Sequence, residues 1–318
     1  CKDNFGTGQK RWLKYYDIIF NQLGIKPHII TSPEEVREGY KYIWRPNHDN
    51  FQGEYKNTEK LSIELYNMAR EYEENDAFLF PSSNDLSYYE NKKKILQETQ
   101  KHNINIPKSV YIDDGCEVKN IKESLIYPLL FKYPFGCSSF GLQICQEISD
   151  YDTMIDKYLI EFGSVIVQEQ IKIQKDLRIN YIYDQALCNY WRVKSGETTS
   201  TATWTGSNLD FFSIPFKGIS FAKEVGKTLN IKCGGADIVW DNDNIDGSPI
   251  LLEISPIFEL NPIPMKPVNW QSFKHGLWSY IPKMRHRRRT MWENLYDQVY
   301  MLFTSYQISY LINEMEPK

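Results

Sequence analysis

Two strongly apolar runs in this chain each carry a single acid. Ala236-Asp237-Ile238-Val239-Trp240 and Ile250-Leu251-Leu252-Glu253-Ile254 are separated by Asp241 to Pro249, a stretch rich in turn formers. That spacing predicts a hairpin. A hairpin sets Asp237 and Glu253 on neighbouring strands, where they can converge. A carboxylate buried in an apolar strand is costly unless it is paired or binds a cation. Two such acids suit either a hard cation held by oxygen ligands or display to solvent from edge strands.

Composition narrows the class of protein. At 318 residues the chain has room for roughly two domains. Its 37 Lys and Arg against 41 Asp and Glu leave a net charge of −4, so no global charge favours a nucleic-acid partner. Gln298 to Asn313 is too short and too polar to span a bilayer. The N-terminus has no apolar signal-peptide core. It opens on Cys1 without an initiator methionine, as a processed chain or a piece of a longer one would. Cys1, Cys116, Cys137, Cys145, Cys188 and Cys233 lack zinc-site spacing. Reduced thiols in a cytoplasmic protein are the expectation.

Periodicity predicts alternating strands and helices, hence an α/β layer over about the first 80 residues. Short strands are expected at His28-Ile29-Ile30, Tyr42-Ile43-Trp44 and Ala77 to Phe80, with a helix over Thr58 to Glu73. Further on, a polar helix runs from Asn91 to Asn103 and strands cover Ser109 to Ile112, Leu129 to Lys132 and Leu142 to Cys145. A helix over Asp152 to Glu161 and a strand over Ser164 to Gln168 follow. Leu177 to Val193 reads as strand, turn at Asp184-Gln185 and strand, and Phe221 to Leu229 as a helix.

Two more strings carry chemistry. Lys132 ends a strand and leads into Pro134-Phe135-Gly136-Cys137-Ser138-Ser139-Phe140-Gly141. Glycines let backbone N–H groups close on phosphate oxygens, and Lys supplies charge. A plain Gly/Ser hairpin loop has the same composition. Val167-Gln168-Glu169-Gln170-Ile171 is followed by Asp176-Leu177-Arg178, which suits either an adenosine and a phosphate or a surface ion pair.

Taken in order, these strings resemble the ATP-grasp superfamily, in particular its glutathione synthetase and ribosomal-protein glutamyl ligase branch. The resemblance covers Tyr88 to about Pro264. It implies an α/β ATP-grasp fold with an N-terminal α/β domain, a mobile lid and a C-terminal nucleotide-binding lobe. The corresponding divisions are an N-terminal substrate domain (1–87), lysine helix and lid (88–168), C-terminal lobe with metal site (169–283), and basic run with final helix (284–318). By the same resemblance Lys92 is the first ATP-phosphate lysine, with Lys93 and Lys94 as alternative registers, and Lys132 is the second. Gly136, Ser138 and Ser139 belong to the phosphate lid, and Gln168, Glu169 and Ile171 to the adenine hinge. Asp176 and Arg178 form the step after it, and Arg178 and Arg192 face phosphate or substrate. Asp237 and Glu253 match the metal ligands. Ser255 departs from the family's Asn, so Ser255 itself, Asn261 or a water would take that place.

The implied cofactors are ATP and Mg²⁺, with Mn²⁺ as a substitute. The implied activity is ligation of a small-molecule or peptide acid to an amine (or thiol) through an acyl phosphate, releasing ADP and phosphate. A small-molecule kinase and a non-catalytic nucleotide-binding module are the alternatives. Arg45 and His48 follow a strand in the substrate domain and suit an acidic substrate; Asn208 and Asn261 are further substrate candidates. Arg285 to Arg289, placed ahead of the final helix, suits peripheral contact with acidic lipid. The helix itself suits packing or homodimer formation.

Overall fold

The computed structural model describes residues 7–30, 33–43, 56–113, 121–136, 141–196, 201, 207–258, 260 and 282–313. Near the N-terminus, β1 (Lys41–Ile43) and β2 (Phe78–Phe80) pair in parallel. A parallel pair needs a crossover, and α2 (Lys56–Glu74) lies between them in the chain, packing Ala69 and Leu65 against Leu79. The run His28-Ile29-Ile30 is not a strand: β1 finds its partner in β2, 28–30 has no ladder among the described residues, and Ile29 is exposed.

The two ends of the chain pack together. Trp12, Tyr15, Tyr16 and Ile19 of α1 (Thr7–Gln22) share one core with Tyr300, Phe303, Ile308 and Leu311 of the final helix (Pro282–Asn313). Trp12 meets Tyr300 edge-on with ring centroids 4.8 Å apart, a favoured aromatic geometry. Arg285 to Arg289 lies inside this helix and not ahead of it. No helix among the described residues is long and apolar enough to cross a membrane.

Two antiparallel sheets follow. The first has the order β3-β6-β4-β5, from β3 (Ser109–Asp113), β4 (Leu129–Lys132), β5 (Gln143–Cys145) and β6 (Ser164–Glu169). Strand alternation sends Ile112, Leu129, Phe131, Val165 and Val167 to one face, where they share a core with Tyr151, Ile155 and Tyr158 from the helix Tyr151–Phe162. The opposite face receives Ser109, Leu130, Lys132, Ile166 and Gln168.

The second sheet has the order β11-β10-β7-β8-β9, from β7 (Lys175–Ile182), β8 (Gln185–Val193), β9 (Asn208–Asp210), β10 (Cys233–Val239) and β11 (Ile250–Ser255). The β7–β8 turn falls on Tyr183-Asp184, one residue before its predicted place, with Tyr183 at φ 54°. Leu177, Ile179, Trp191, Ala236, Ile238, Leu251 and Ile254 pack with Ala222 and Val225 of the helix Phe216–Thr228. That helix starts five residues earlier than periodicity indicates, behind Pro215 as its N-cap.

A bulge decides where Glu253 points. Asp237 pairs with Glu253 and Ile238 with Leu251, leaving Leu252 as the extra residue. One extra residue reverses strand parity. Leu251 and Ile254 therefore both reach the core, and Glu253 joins Asp237 on the opposite, polar face.

Candidate active site

The polar face of the five-stranded sheet carries a ladder of charge. Asp176 pairs with Arg192, Arg178 with Asp237, and Asp237 with Glu253 in the strand register. Arg192 Nε donates to Asp176 Oδ1 at 2.8 Å, its Nη2 donates to Asp176 Oδ2, and the same Nη2 lies 2.7 Å from Asp237 Oδ2. Arg178 Nη2 donates to Asp237 Oδ2 at 3.1 Å. Thr201 Oγ1 also donates to Asp176, at 2.7 Å. Asp176 is thus a buried support beneath Arg192. Burial pushes its carboxyl up, against the pull of Arg192 and Thr201. Gly235 leaves room for this network, since a Cβ there would sit 2.8 Å from Arg178 Nη1 and 3.0 Å from Asn180 Oδ1.

Lysines approach from two other elements. The helix Lys92–Lys101 is capped by Asn91, whose side chain accepts from Lys94 N at 3.0 Å. Its first three lysines diverge. Lys93 donates to Tyr111 Oη at 3.0 Å, and Lys94 donates to Ser87 Oγ at 2.5 Å while lying over the Tyr88 ring. Lys92 turns the other way, donating to the Gly136 carbonyl and lying 3.4 Å from Glu253 Oε1. Gly136 N donates to Glu90 O at 3.1 Å and Lys92 N to Pro134 O at 2.8 Å, which ties the helix start to the chain leaving β4. Lys132 ends β4, donates to Gln168 Oε1, and senses both Glu253 and Lys92. Desolvation lowers its ammonium to about 8; Glu253 opposes that shift and Lys92 adds to it.

Glu90 is a residue that the motif pattern missed. It is buried, and its Oε2 has no hydrogen-bond partner. Burial, reinforced by Glu253 and opposed by Lys92, pushes its carboxyl up to about 7. Its place directly before Asn91-Lys92 was the available signal. A folded-state value above the ordinary one stabilises below the unfolded value, near 4.5, and that contribution is lost as pH rises through about 7. Glu90→Gln is therefore expected to raise thermal stability at pH 8, by on the order of 1–3 kcal/mol, and to change little at pH 4. Thermal melts at both pH values check it; an equal shift at both would detach the effect from the carboxyl's charge.

The residues expected at the hinge make contacts of their own. The Glu169 carboxylate accepts from Ile126 N at 3.0 Å and lies 3.7 Å from Lys108 Nζ, so its contacts are to the protein itself. Ile171 lies half-buried in the connection to β7. Ser255 Oγ donates to Ile257 O at 2.7 Å. Asn208 is exposed at the start of β9. Ser138, Ser139, Arg45, His48 and Asn261 lie outside the described residues.

The acids are also candidate ligands for a cation. Asp237 Oδ1 is buried 2.6 Å from Arg178 Nε, yet neither atom has an aligned hydrogen-bond partner. A buried carboxylate oxygen with an unused lone pair, opposite Glu253 in register, is a donor set that fits a hard cation. Among the described residues there is no group of three or more His, Cys, Asp or Glu able to hold a metal. Further ligands would come from Ser255, phosphate or water.

No protein-family model matches the chain. Among curated proteins it is 22% identical over 191 residues to a "Probable alpha-L-glutamate ligase" of Shewanella halifaxensis (strain HAW-EB4), covering 59% of this chain and 41% of that one. A protein of the same description from Rhodopirellula baltica (strain DSM 10527 / NCIMB 13988 / SH1) is 21% identical over 175 residues, covering 54% and 43%. The chain thus spans about two fifths of the length of these relatives. Among solved structures, the D-cycloserine synthetase DcsG superposes with a TM-score of 0.57 at 14% identity, over 77% of this chain and 85% of that one. A RimK domain protein ATP-grasp from Sphaerobacter thermophilus DSM 20745 gives 0.55 at 10% identity, over 86% and 92%. The ATP-grasp ligase PsnB, complexed with minimal precursor, gives 0.54 at 15%, over 85% and 91%. The chain has the α/β fold of the ATP-grasp superfamily.

Proposed function

We propose that the protein is an ATP- and Mg²⁺-dependent ligase that joins a carboxylic acid to an amine. The observation that carries this reading is the ion pair of Lys92 with Glu253, with Lys132 from a separate element within electrostatic reach of both, beside the Asp237–Arg178–Arg192 network. Two cations and two carboxylates directed at one place suit a polyphosphate and its metal. The curated relatives carry the description "Probable alpha-L-glutamate ligase", and glutamate bears carboxylates, which favours ligation over phosphoryl transfer to a hydroxyl.

In this reading Lys92 and Lys132 hold the ATP phosphates. Asp237 and Glu253 would hold Mg²⁺, with Ser255 or water completing the set, and the ion would supply neutralisation of phosphate charge. Arg178 and Arg192, anchored by Asp176 and Asp237, stabilise negative charge developing on the transferred group. A substrate carboxylate oxygen attacks the γ-phosphorus and ADP departs. The amine then attacks the acyl carbon of the acyl phosphate, the C–O bond to phosphate breaks, and the departing phosphate takes up the proton the amine loses. The chain's part is positioning and charge stabilisation, with no covalent nucleophile.

A screen of ADP release against acids and amines tests this, with hydroxylamine as the trap for acyl phosphate. Acid-dependent ADP release with a hydroxamate product is the expected result. A stable phosphorylated hydroxyl product would make the protein a kinase, and nucleotide binding without turnover under any pair would make it a binding module.

A further inference from the structure

Gln168 stands beside Lys132 on the face of the four-stranded sheet opposite its apolar core. Register places it between Ser109 of β3 and Leu130 of β4, so Lys132 is its diagonal neighbour two residues along β4. Lys132 Nζ donates to Gln168 Oε1, Gln168 Nε2 donates to Ser109 Oγ at 2.8 Å, and Ser109 Oγ donates to Pro107 O at 2.7 Å. Gln100 Nε2 holds the Ser109 carbonyl at 3.0 Å.

The direction of this chain is set from both ends. An ammonium only donates and a carbonyl only accepts. The Ser109 hydroxyl hydrogen therefore goes to Pro107, its lone pair receives the Gln168 amide hydrogen, and the amide oxygen faces Lys132. Gln168 and Ser109 are both buried, so a flipped amide would leave polar atoms unmatched out of water. The oxygen offered to Lys132 is neutral: it orients the ammonium without cancelling its charge, which a carboxylate would do.

We propose that Gln168 is a positioning residue for the nucleotide phosphates, acting through Lys132, and does not itself recognise the adenine base. This rests on the ATP reading above and departs from the hinge role that family resemblance implies for Gln168. The other charged groups acting on Lys132 are Glu253 and Lys92.

The test is a ligand ladder of ATP, ADP, AMP and adenosine titrated into the wild type, Gln168→Leu and Gln168→Glu. Protonation of Lys132 is followed in parallel by heteronuclear NMR across pH. Both variants are expected to lose at least tenfold in affinity for ATP while adenosine binding stays within twofold. In Gln168→Glu the Lys132 titration should move upward from its wild-type position, since a carboxylate would replace the amide oxygen that Lys132 donates to. Equal losses for adenosine and ATP would place Gln168 at the base and overturn the proposal. Wild-type ATP affinity in both variants would overturn it as well. Failure of the wild type to bind ATP would remove the ATP reading and this role with it. In that case the NMR titration still reports separately on the hydrogen-bonded chain: an unmoved Lys132 in Gln168→Glu means the contact itself is absent.

Discussion

Glu253→Gln is expected to reduce the proposed ligase turnover by about a hundredfold or more while the protein remains folded. The side chain is half-exposed, and neutral Gln matches it in size, so little packing is lost. What disappears is the charge on which the site converges. Glu253 lies 3.4 Å from Lys92, raises Lys132 against its desolvation, and stands opposite Asp237 in the strand register. Its removal takes away one of the two carboxylates proposed to hold the cation and leaves the lysines under-neutralised when nucleotide is absent. Steady-state ADP release, with a thermal melt to establish folding, measures the effect. Wild-type turnover in this variant would remove Glu253 from the reacting centre.

Lys132→Ala is the second large expectation. One charge-assisted hydrogen bond to phosphate in a partly buried site is worth about 1.5–3 kcal/mol, or roughly 10–150-fold in dissociation constant. The free protein adds a pH signature. Phosphate prefers the ammonium form, and that form is lost as pH rises through about 8. Wild-type affinity for an ATP analogue should therefore weaken above pH 8, and the Ala variant should lack that limb. Calorimetric titrations at pH 7 and 9 measure both. Unchanged affinity in the variant would take Lys132 away from the phosphates.

Periodicity located the lysine helix, the strands around Lys132 and the hairpin bearing Asp237 and Glu253, because each is a local pattern of apolar spacing and turn formers. The departures have local causes of their own. His28-Ile29-Ile30 has strand-forming residues and no described ladder to join, and the Phe216–Thr228 helix extends back over residues whose apolar spacing is irregular. The packing of Trp12 and Tyr15 on Tyr300 joins positions nearly the whole chain apart, beyond the reach of any window of residues.

At the candidate site the sequence by itself determined which residue types stand in which order: lysine at a helix start, lysine at a strand end, Asp-x-Arg, and an acid in each arm of a hairpin. Only the tertiary structure decided their directions. Lys92, Lys93 and Lys94 are equivalent in composition, and the helical rotation of about 100° per residue sends just Lys92 to Glu253. The extra residue at Leu252 turns Glu253 onto the face of Asp237. Asp176 stands two residues from Arg178 in the chain, yet it supports Arg192 across the strands while Arg178 serves Asp237. Glu90 acquires its raised carboxyl from burial beside Glu253, which lies 163 positions further along. Electrostatic partners are chosen by distance in space, and a linear pattern carries no record of that distance until the sheets have formed.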